Sequence, residues 1–376
     1  MKKFPDFFSD KEDCFCGSSR PFSECHKGFR FSHPNQITIE HRKINKWWEG
    51  CGVFEGGERC GNPVIRSHSV QRRGALLDIS ENDHVLTVPR NKHSKSLLLD
   101  DTYDFARVST KQASTFYGIC ADHDHKLFND IENDIRLSYR TFLGLAERTI
   151  LYEAIESTKN SLWSFYLLKY AKFDFHFDME LAREELENMR HYAAYAWSLL
   201  GRLQSIRLRN SAREFKFVAV EFEEILPFCG TGCFCIELGF DGSRIQDFSK
   251  RQKFNYAQIS ITRSSEGRTL FLLSGICDER PKAAKRLLSS LLKQPRETLG
   301  DAALRAMIVH TENVYFRPSW LNSIDKPLQS EILRRYNYGT DFLVGQVKAS
   351  DTLSTPLVRE FSPRVAAIKH NLGKRA

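Results

Sequence analysis

The stretch Tyr256-Ala-Gln-Ile-Ser-Ile-Thr262, followed by Arg263-Ser-Ser-Glu-Gly267 and then Arg268-Thr-Leu-Phe-Leu-Leu-Ser-Gly-Ile276, decides the fold class. Two runs rich in β-branched and aromatic residues flank a hairpin-length loop that ends in glycine, which is the pattern of two adjacent antiparallel strands. Upstream, Phe215, Phe217 and Ala219 alternate with Lys216 and Val218, and Cys233-Phe-Cys-Ile-Glu-Leu-Gly-Phe240 supplies another short apolar run. Together these predict an antiparallel sheet of about four strands. Helices are expected to follow at Pro281–Lys293, Glu297–His310 and Pro318–Tyr336, the first and third opening with proline, whose fixed φ suits the first helical turn. The chain after about Ser350, rich in Ser, Thr, Pro and Lys, reads as a loose tail.

Toward the N-terminus the period lengthens. From Ile131 to Leu208 apolar residues recur every three or four positions (Ile135, Tyr139, Phe142, Leu143, Ala146, later Leu186, Met189, Tyr192, Trp197, Leu200), and Gly and Pro are scarce. This predicts two or three long helices, broken near Phe173–Phe177. Residues 1–127 differ again: they hold six of the ten Cys and eight of the twelve His, with many turn formers, as small modules do when a metal substitutes for a large core. The expected architecture is α+β and multidomain: small N-terminal zinc modules at 1–35 and 40–130, a helical connector at 131–210, an antiparallel sheet with helices at 211–350, and a tail at 351–376.

Composition narrows the function classes. With 41% hydrophobic residues and 28 Phe, the chain is not that of a disordered protein. No apolar run reaches the roughly 20 residues of a membrane helix, and Met1-Lys2-Lys3 leads into Asp10, Glu12 and Asp13, so a cytoplasmic protein without membrane partners is expected. In that compartment cysteines are metal ligands or small hydrophobes before they are disulfides. The net charge of +8 tilts only slightly toward a polyanionic partner, because many basic residues face acidic ones at helical spacing.

Cys14-Phe-Cys16-Gly17-Ser18-Ser-Arg-Pro-Phe-Ser-Glu-Cys25-His26 gathers four soft ligands within thirteen residues, with a Gly-Ser turn after the second. The stretch resembles the SEC-C motif, a small zinc-binding element found at the C-terminal end of the SecA translocase ATPase and in other bacterial proteins. The resemblance covers about fifteen residues and implies a closed structural zinc on Cys14, Cys16, Cys25 and His26, with a partner protein or nucleic acid on its exposed face.

A second set comprises Cys51-Gly-Val-Phe-Glu-Gly-Gly-Glu-Arg-Cys60, Ile65-Arg-Ser67-His68-Ser-Val-Gln71, Asp83-His84-Val85 and Phe116-Tyr-Gly118-Ile-Cys120-Ala-Asp-His123-Asp124-His125. Two cysteines on a Gly-rich loop and a Cys-x-x-His at a helix start can supply a second tetrahedral zinc from Cys51, Cys60, Cys120 and His123, although the gap from Cys51 to Cys60 is longer than a standard knuckle. A strand running into His68 between the two ligand pairs resembles the HNH endonuclease, or ββα-metal, fold. By that resemblance His68 is the general base and Asp124 binds magnesium or manganese, with His125 and His84 as auxiliaries, and the substrate is DNA or RNA. The sequence departs from the pattern at Ser67, where an acid usually precedes the histidine, and at Asp124, where histidine or asparagine is usual. A zinc-stabilised adaptor of the same shape, binding nucleic acid or protein without cleavage, is the alternative. A bacterial defence role rests on the resemblance alone.

Each residue has a simpler reading beside it. His68 can be a packed histidine bonded to the backbone, His84 sits in a turn leading into a strand, and Asp124 suits the positive end of a helix dipole. Cys229, Cys233, Cys235 and Cys277 read as buried small hydrophobes more than as a third metal site.

Overall fold

The computed structural model describes residues 20–25, 51–55, 58–88, 104–132, 135–170, 179–209, 211, 213–247, 255–277, 282–340, 353–358 and 360–373. In chain order the helices are α1 (Phe22–Cys25), α2 (Ala121–Glu132), α3 (Tyr139–Tyr170), α4 (Met179–Arg209), α5 (Ala283–Leu292), α6 (Leu299–His310), α7 (Pro318–Ser323) and α8 (Lys326–Thr340). The strands are β1 (Phe54–Glu55), β2 (Glu58–Arg59), β3 (Ile65–His68), β4 (His84–Thr87), β5 (Ala106–Ser109), β6 (Thr115–Ile119), β7 (Phe215–Phe222), β8 (Phe228–Cys235), β9 (Tyr256–Arg263), β10 (Thr269–Ile276), β11 (Val314–Phe316) and β12 (Val365–His370). The fold is α+β, and the chain divides into two compact units, each assembled from separated stretches: Met1–Ser67, Phe116–Leu127 and Ile150–Gln204 in one, His68–Thr115, Phe128–Thr149 and Ser205–Ala376 in the other.

The second unit is built on an eight-stranded sheet in the order β12-β7-β10-β9-β8-β11-β4-β5, antiparallel at every step. Its centre is a four-stranded antiparallel set as expected, except that β8 spans Phe228–Cys235 and not the apolar run Cys233–Phe240. The β9–β10 loop closes with Gly267 at φ 73°, a left-handed conformation that glycine adopts without strain. Pairing of Phe271 with Val220 and Ile261, and of Leu273 with Val218 and Ile259, lines one face with branched and aromatic side chains. These belong to a single buried core with Leu287, Leu288 and Leu291 of α5 and Ala303, Met307 and Ile308 of α6. At about 25 cal/mol per Å² of apolar surface removed from water, this core is the main stabilising term of the unit.

The other face is polar along its middle. Thr231 pairs with Ser260, Cys233 with Gln258, and Ser260 with Leu272, so Thr231, Gln258 and Ser260 share that side. Thr149 of α3 meets them: Thr231 Oγ1 donates to Thr149 Oγ1 at 2.9 Å, and Ser260 Oγ lies 3.2 Å from the same oxygen. Nearer β7 the contact becomes aromatic, with Phe142 against Phe217 at 4.7 Å between ring centroids.

Three further features differ from the sequence expectation. The helix expected over Pro318–Tyr336 breaks at Ile324, because Asp325 caps a new helix through Leu328 N at 2.8 Å and Pro327 follows within its first turn. The stretch read as a loose tail supplies β12, which pairs with β7 and satisfies backbone groups that would otherwise lie on an open edge. Likewise β4 and β5, inside the stretch read as the 40–130 zinc module, are strands of the large sheet.

In the first unit, β1 and β2 form a two-residue-deep ribbon with Glu55 opposite Glu58. Phe116 of β6 packs edge-on against Tyr152 of α3 at 5.4 Å, and Trp197 of α4 donates to Thr158 of α3 at 3.0 Å. The stretch read as a helical connector at 131–210 contains the helices α3 and α4, and the division into units falls within α3, between Thr149 and Ile150.

Candidate metal centre

The long gap between Cys51 and Cys60 is closed by the β1–β2 ribbon. Cys51 N donates to Asn62 O at 3.0 Å and Cys60 N to Val53 O at 2.9 Å, so both cysteines stand at the base of one short hairpin. A further bond, Gly52 N to Gly118 O at 2.7 Å, ties that hairpin to β6. β6 runs straight into Cys120 and α2, where Cys120 and His123, three residues apart, meet on one side of the first helical turn. Gly118 is required because a Cβ there would lie inside the side chain of Ile155.

The result is a cluster in which Cys51, Cys60, Cys120 and His123 present ligand atoms all within 4.8 Å of one another. His123 Nδ1 lies 3.4 Å from Cys51 Sγ and 3.3 Å from Cys120 Sγ. A tetrahedral zinc, with Zn–S about 2.3 Å and Zn–N about 2.0 Å, sets sulfur and nitrogen about 3.6 Å apart, so small adjustments would admit the ion. The cluster can hold a metal ion, and with four protein ligands it leaves no coordination position open.

The thiols are unequal. Burial pushes Cys51 up to about 12, with hydrogen bonds from the Val53 and Cys120 backbone only partly offsetting it. At Cys120 burial also pushes upward, but bonds from the His123 amide and ring and from Cys51 and Cys60 together hold the thiol below its usual value. Its place immediately before α2 adds the positive end of the helix dipole. Cys120 is thus the thiol biased toward its thiolate form, and Cys51 the one biased against it.

The remaining candidate residues are placed as follows. Nε2 of His68, at the end of β3, is 3.3 Å from Thr110 O. A carbonyl can only accept, so in this contact Nε2 is the donor. Ser67 is 3% exposed, and its Oγ has no hydrogen-bond partner among the described residues. Asp124, in the first turn of α2, also has a buried oxygen, Oδ1, without such a partner. His125 is exposed on α2. His84 opens β4 after the tight turn Glu81–His84, whose central residues Asn82 and Asp83 have φ of 50° and 58°, and its Nδ1 donates to Asn82 O at 2.6 Å. That is the turn-bound histidine of the simpler reading.

Cys14, Cys16 and His26 lie outside the described residues, and of Cys25 only the backbone, at the end of α1, is described. Cys229 and Cys233 are buried, Cys235 and Cys277 half-buried; none is in a disulfide, and none joins a metal-type cluster among the described residues. Near the C-terminal end of α4, Arg207 is ion-paired with Glu147 and Arg209 with Glu214. One cation the sequence reading passed over is Arg66, exposed on β3, whose Nε donates to Tyr117 Oη at 2.9 Å across the β3–β6 pair. The alternation of Ile65-Arg-Ser and Phe116-Tyr-Gly was the signal that could have found it.

No protein family matches the chain, and comparisons with curated proteins and with solved structures return no match. Among the described residues no helix is long and apolar enough to cross a membrane. Fold and site thus define an α+β, multidomain protein with a three-cysteine, one-histidine cluster able to hold a metal ion.

Proposed function

We propose that the cluster of Cys51, Cys60, Cys120 and His123 holds a structural zinc, and that the chain is an HNH-like nuclease cleaving phosphodiester bonds in DNA or RNA. Zinc suits three thiolates and an imidazole in a closed tetrahedron better than the harder magnesium or calcium. The observation that carries the nuclease reading is the pair of buried, unpartnered oxygens at Ser67 and Asp124. These are the two positions that, by the resemblance, face a catalytic cation, and buried oxygens are costly to leave without a partner. Magnesium or manganese bound there would supply charge stabilisation to a reacting phosphate. By the same resemblance His68 is the general base, and Arg66, exposed on β3, offers a phosphate contact. By resemblance to the SEC-C motif, Cys14, Cys16, Cys25 and His26 hold a second zinc and face a protein partner.

A second reading, a zinc-stabilised adaptor that binds nucleic acid or protein without cutting, is favoured by the closed cluster and by the hydroxyl of Ser67 standing where a carboxylate would bind a cation more strongly. Incubating the protein with plasmid and with RNA in magnesium or manganese, beside His68→Ala and Asp124→Ala, separates the two. Cutting that needs the cation and both residues supports the nuclease; undiminished binding with no cutting in any of the three supports the adaptor.

A further inference from the structure

Beside the polar face of the large sheet lies a small cavity, of about 10 Å³, whose wall is apolar at Val70, Leu145, Gly230 and Ile261 and polar at Ser69, Gln71, Arg148, Thr231, Ser260 and Thr262. Most hydroxyls around it are already engaged. Ser69 Oγ lies 2.6 Å from Ser114 Oγ and accepts from Asn313 Nδ2 at 2.9 Å, while Thr231 and Ser260 both meet Thr149. Three polar atoms of lining residues are not: Thr262 Oγ1, Gln71 Oε1 and Arg148 Nε are buried and have no hydrogen-bond partner among the described residues. Thr262 is 5% exposed and Arg148 is 3% exposed, so bulk solvent does not reach them.

The chemistry of these three atoms selects the occupant. Gln71 Nε2 donates to Glu132 O at 2.5 Å, which fixes the amide so that Oε1 is the acceptor left over. Arg148 Nε can only donate, and its guanidinium charge is matched by an ion pair with Glu132. A molecule that suits the site must therefore accept from Arg148 and donate to Gln71, with Thr262 serving either way. A halide or other anion lacks the donor and meets the Gln71 oxygen with like polarity. A metal cation meets the guanidinium. Water does both, needs two to four polar partners, and fits a cavity of this volume.

We propose that this cavity is a binding site for one permanently held water molecule. The water bridges the segment after β3 (Gln71), the first turns of α3 (Arg148) and the central strand β9 (Thr262). It completes a buried polar layer that runs from Ser114 and Asn313 through Ser69 to Thr231 and Ser260.

The test compares the full-length chain with Thr262→Val, which keeps the shape and removes the hydroxyl, and with Thr262→Ser, which keeps the hydroxyl. High-resolution crystal structures, or cross-relaxation from water to labelled threonine methyls, report occupancy; thermal melting reports the consequence. The expected result is one ordered, slowly exchanging water in the wild type and in Thr262→Ser, displaced or lost in Thr262→Val, with the valine variant melting several degrees lower. A wild type with no water between these residues overturns the proposal. So does a valine variant that melts higher, the result for a dry cavity in which deleting an orphaned hydroxyl is a gain.

Discussion

Replacing Asp301 with alanine tests how the C-terminal stretch is held to the sheet unit. Asp301, on α6, is 3% exposed and forms an ion pair with Arg305 at 2.7 Å, itself 1% exposed. The same carboxylate accepts from Leu357 N at 3.0 Å and Val358 N at 2.7 Å, and Arg305 donates to Leu353 O. The stretch so clasped leads directly into β12. Removing the carboxylate leaves a buried guanidinium without its countercharge, which costs about 3–5 kcal/mol when one partner of a buried pair is deleted. The two amides, at the partly exposed end of the clasp, can recover water and add about 1 kcal/mol between them. We therefore expect Asp301→Ala to lower the stability of the sheet unit by about 4 kcal/mol, a large share of the roughly 5–15 kcal/mol of an ordinary domain. Asp301→Asn, which keeps an acceptor, should lose less. Urea denaturation measures the change, and hydrogen exchange at Leu357, Val358 and the β12 amides should rise selectively. A loss below about 1 kcal/mol, or unchanged exchange in β12, would refute the clasp.

The remaining predictions concern the cluster and the helices. Cys120→Ser should lower bound metal by about one ion per chain, whatever the total in the wild type, as measured by elemental analysis; an unchanged content removes the cluster as a metal site. Gly118→Ala should cost about 1–3 kcal/mol through its clash with Ile155 and weaken metal retention, and the added change Ile155→Ala should restore part of both. Burial raises the carboxyl of Glu147 to about 7 against the opposing charge of Arg207, so the folded chain keeps a proton that the unfolded chain releases near pH 4.5. That contribution is complete below pH 4.5 and is lost as pH climbs through 7. Glu147→Gln, always neutral, should therefore gain on the wild type by about 3 kcal/mol between pH 4.5 and 8, and a difference flat with pH would exclude the effect.

Period and punctuation in the chain determine much of this protein. Short apolar runs between Phe215 and Ile276 specify about four antiparallel strands, three- and four-residue spacing from Ile131 to Leu208 specifies two or three long helices, and Cys120-Ala-Asp-His123 specifies two ligands on one helical turn. These are local properties, carried by neighbours within a few residues of each other. Which distant segments complete the sheet and the cluster was not local. β5, β11 and β12 carry no pattern that announces them, and they join the sheet, with the strand read after His84, because the central four leave open edges to pair with. Cys51 and Cys60 lie nine positions apart in the chain and become neighbours only because the ribbon between them folds back and Gly52 bonds to Gly118. The orphaned oxygens of Ser67 and Asp124, and the polar cavity beside Thr262, exist only where packing has removed water, and no pattern in one dimension records that removal.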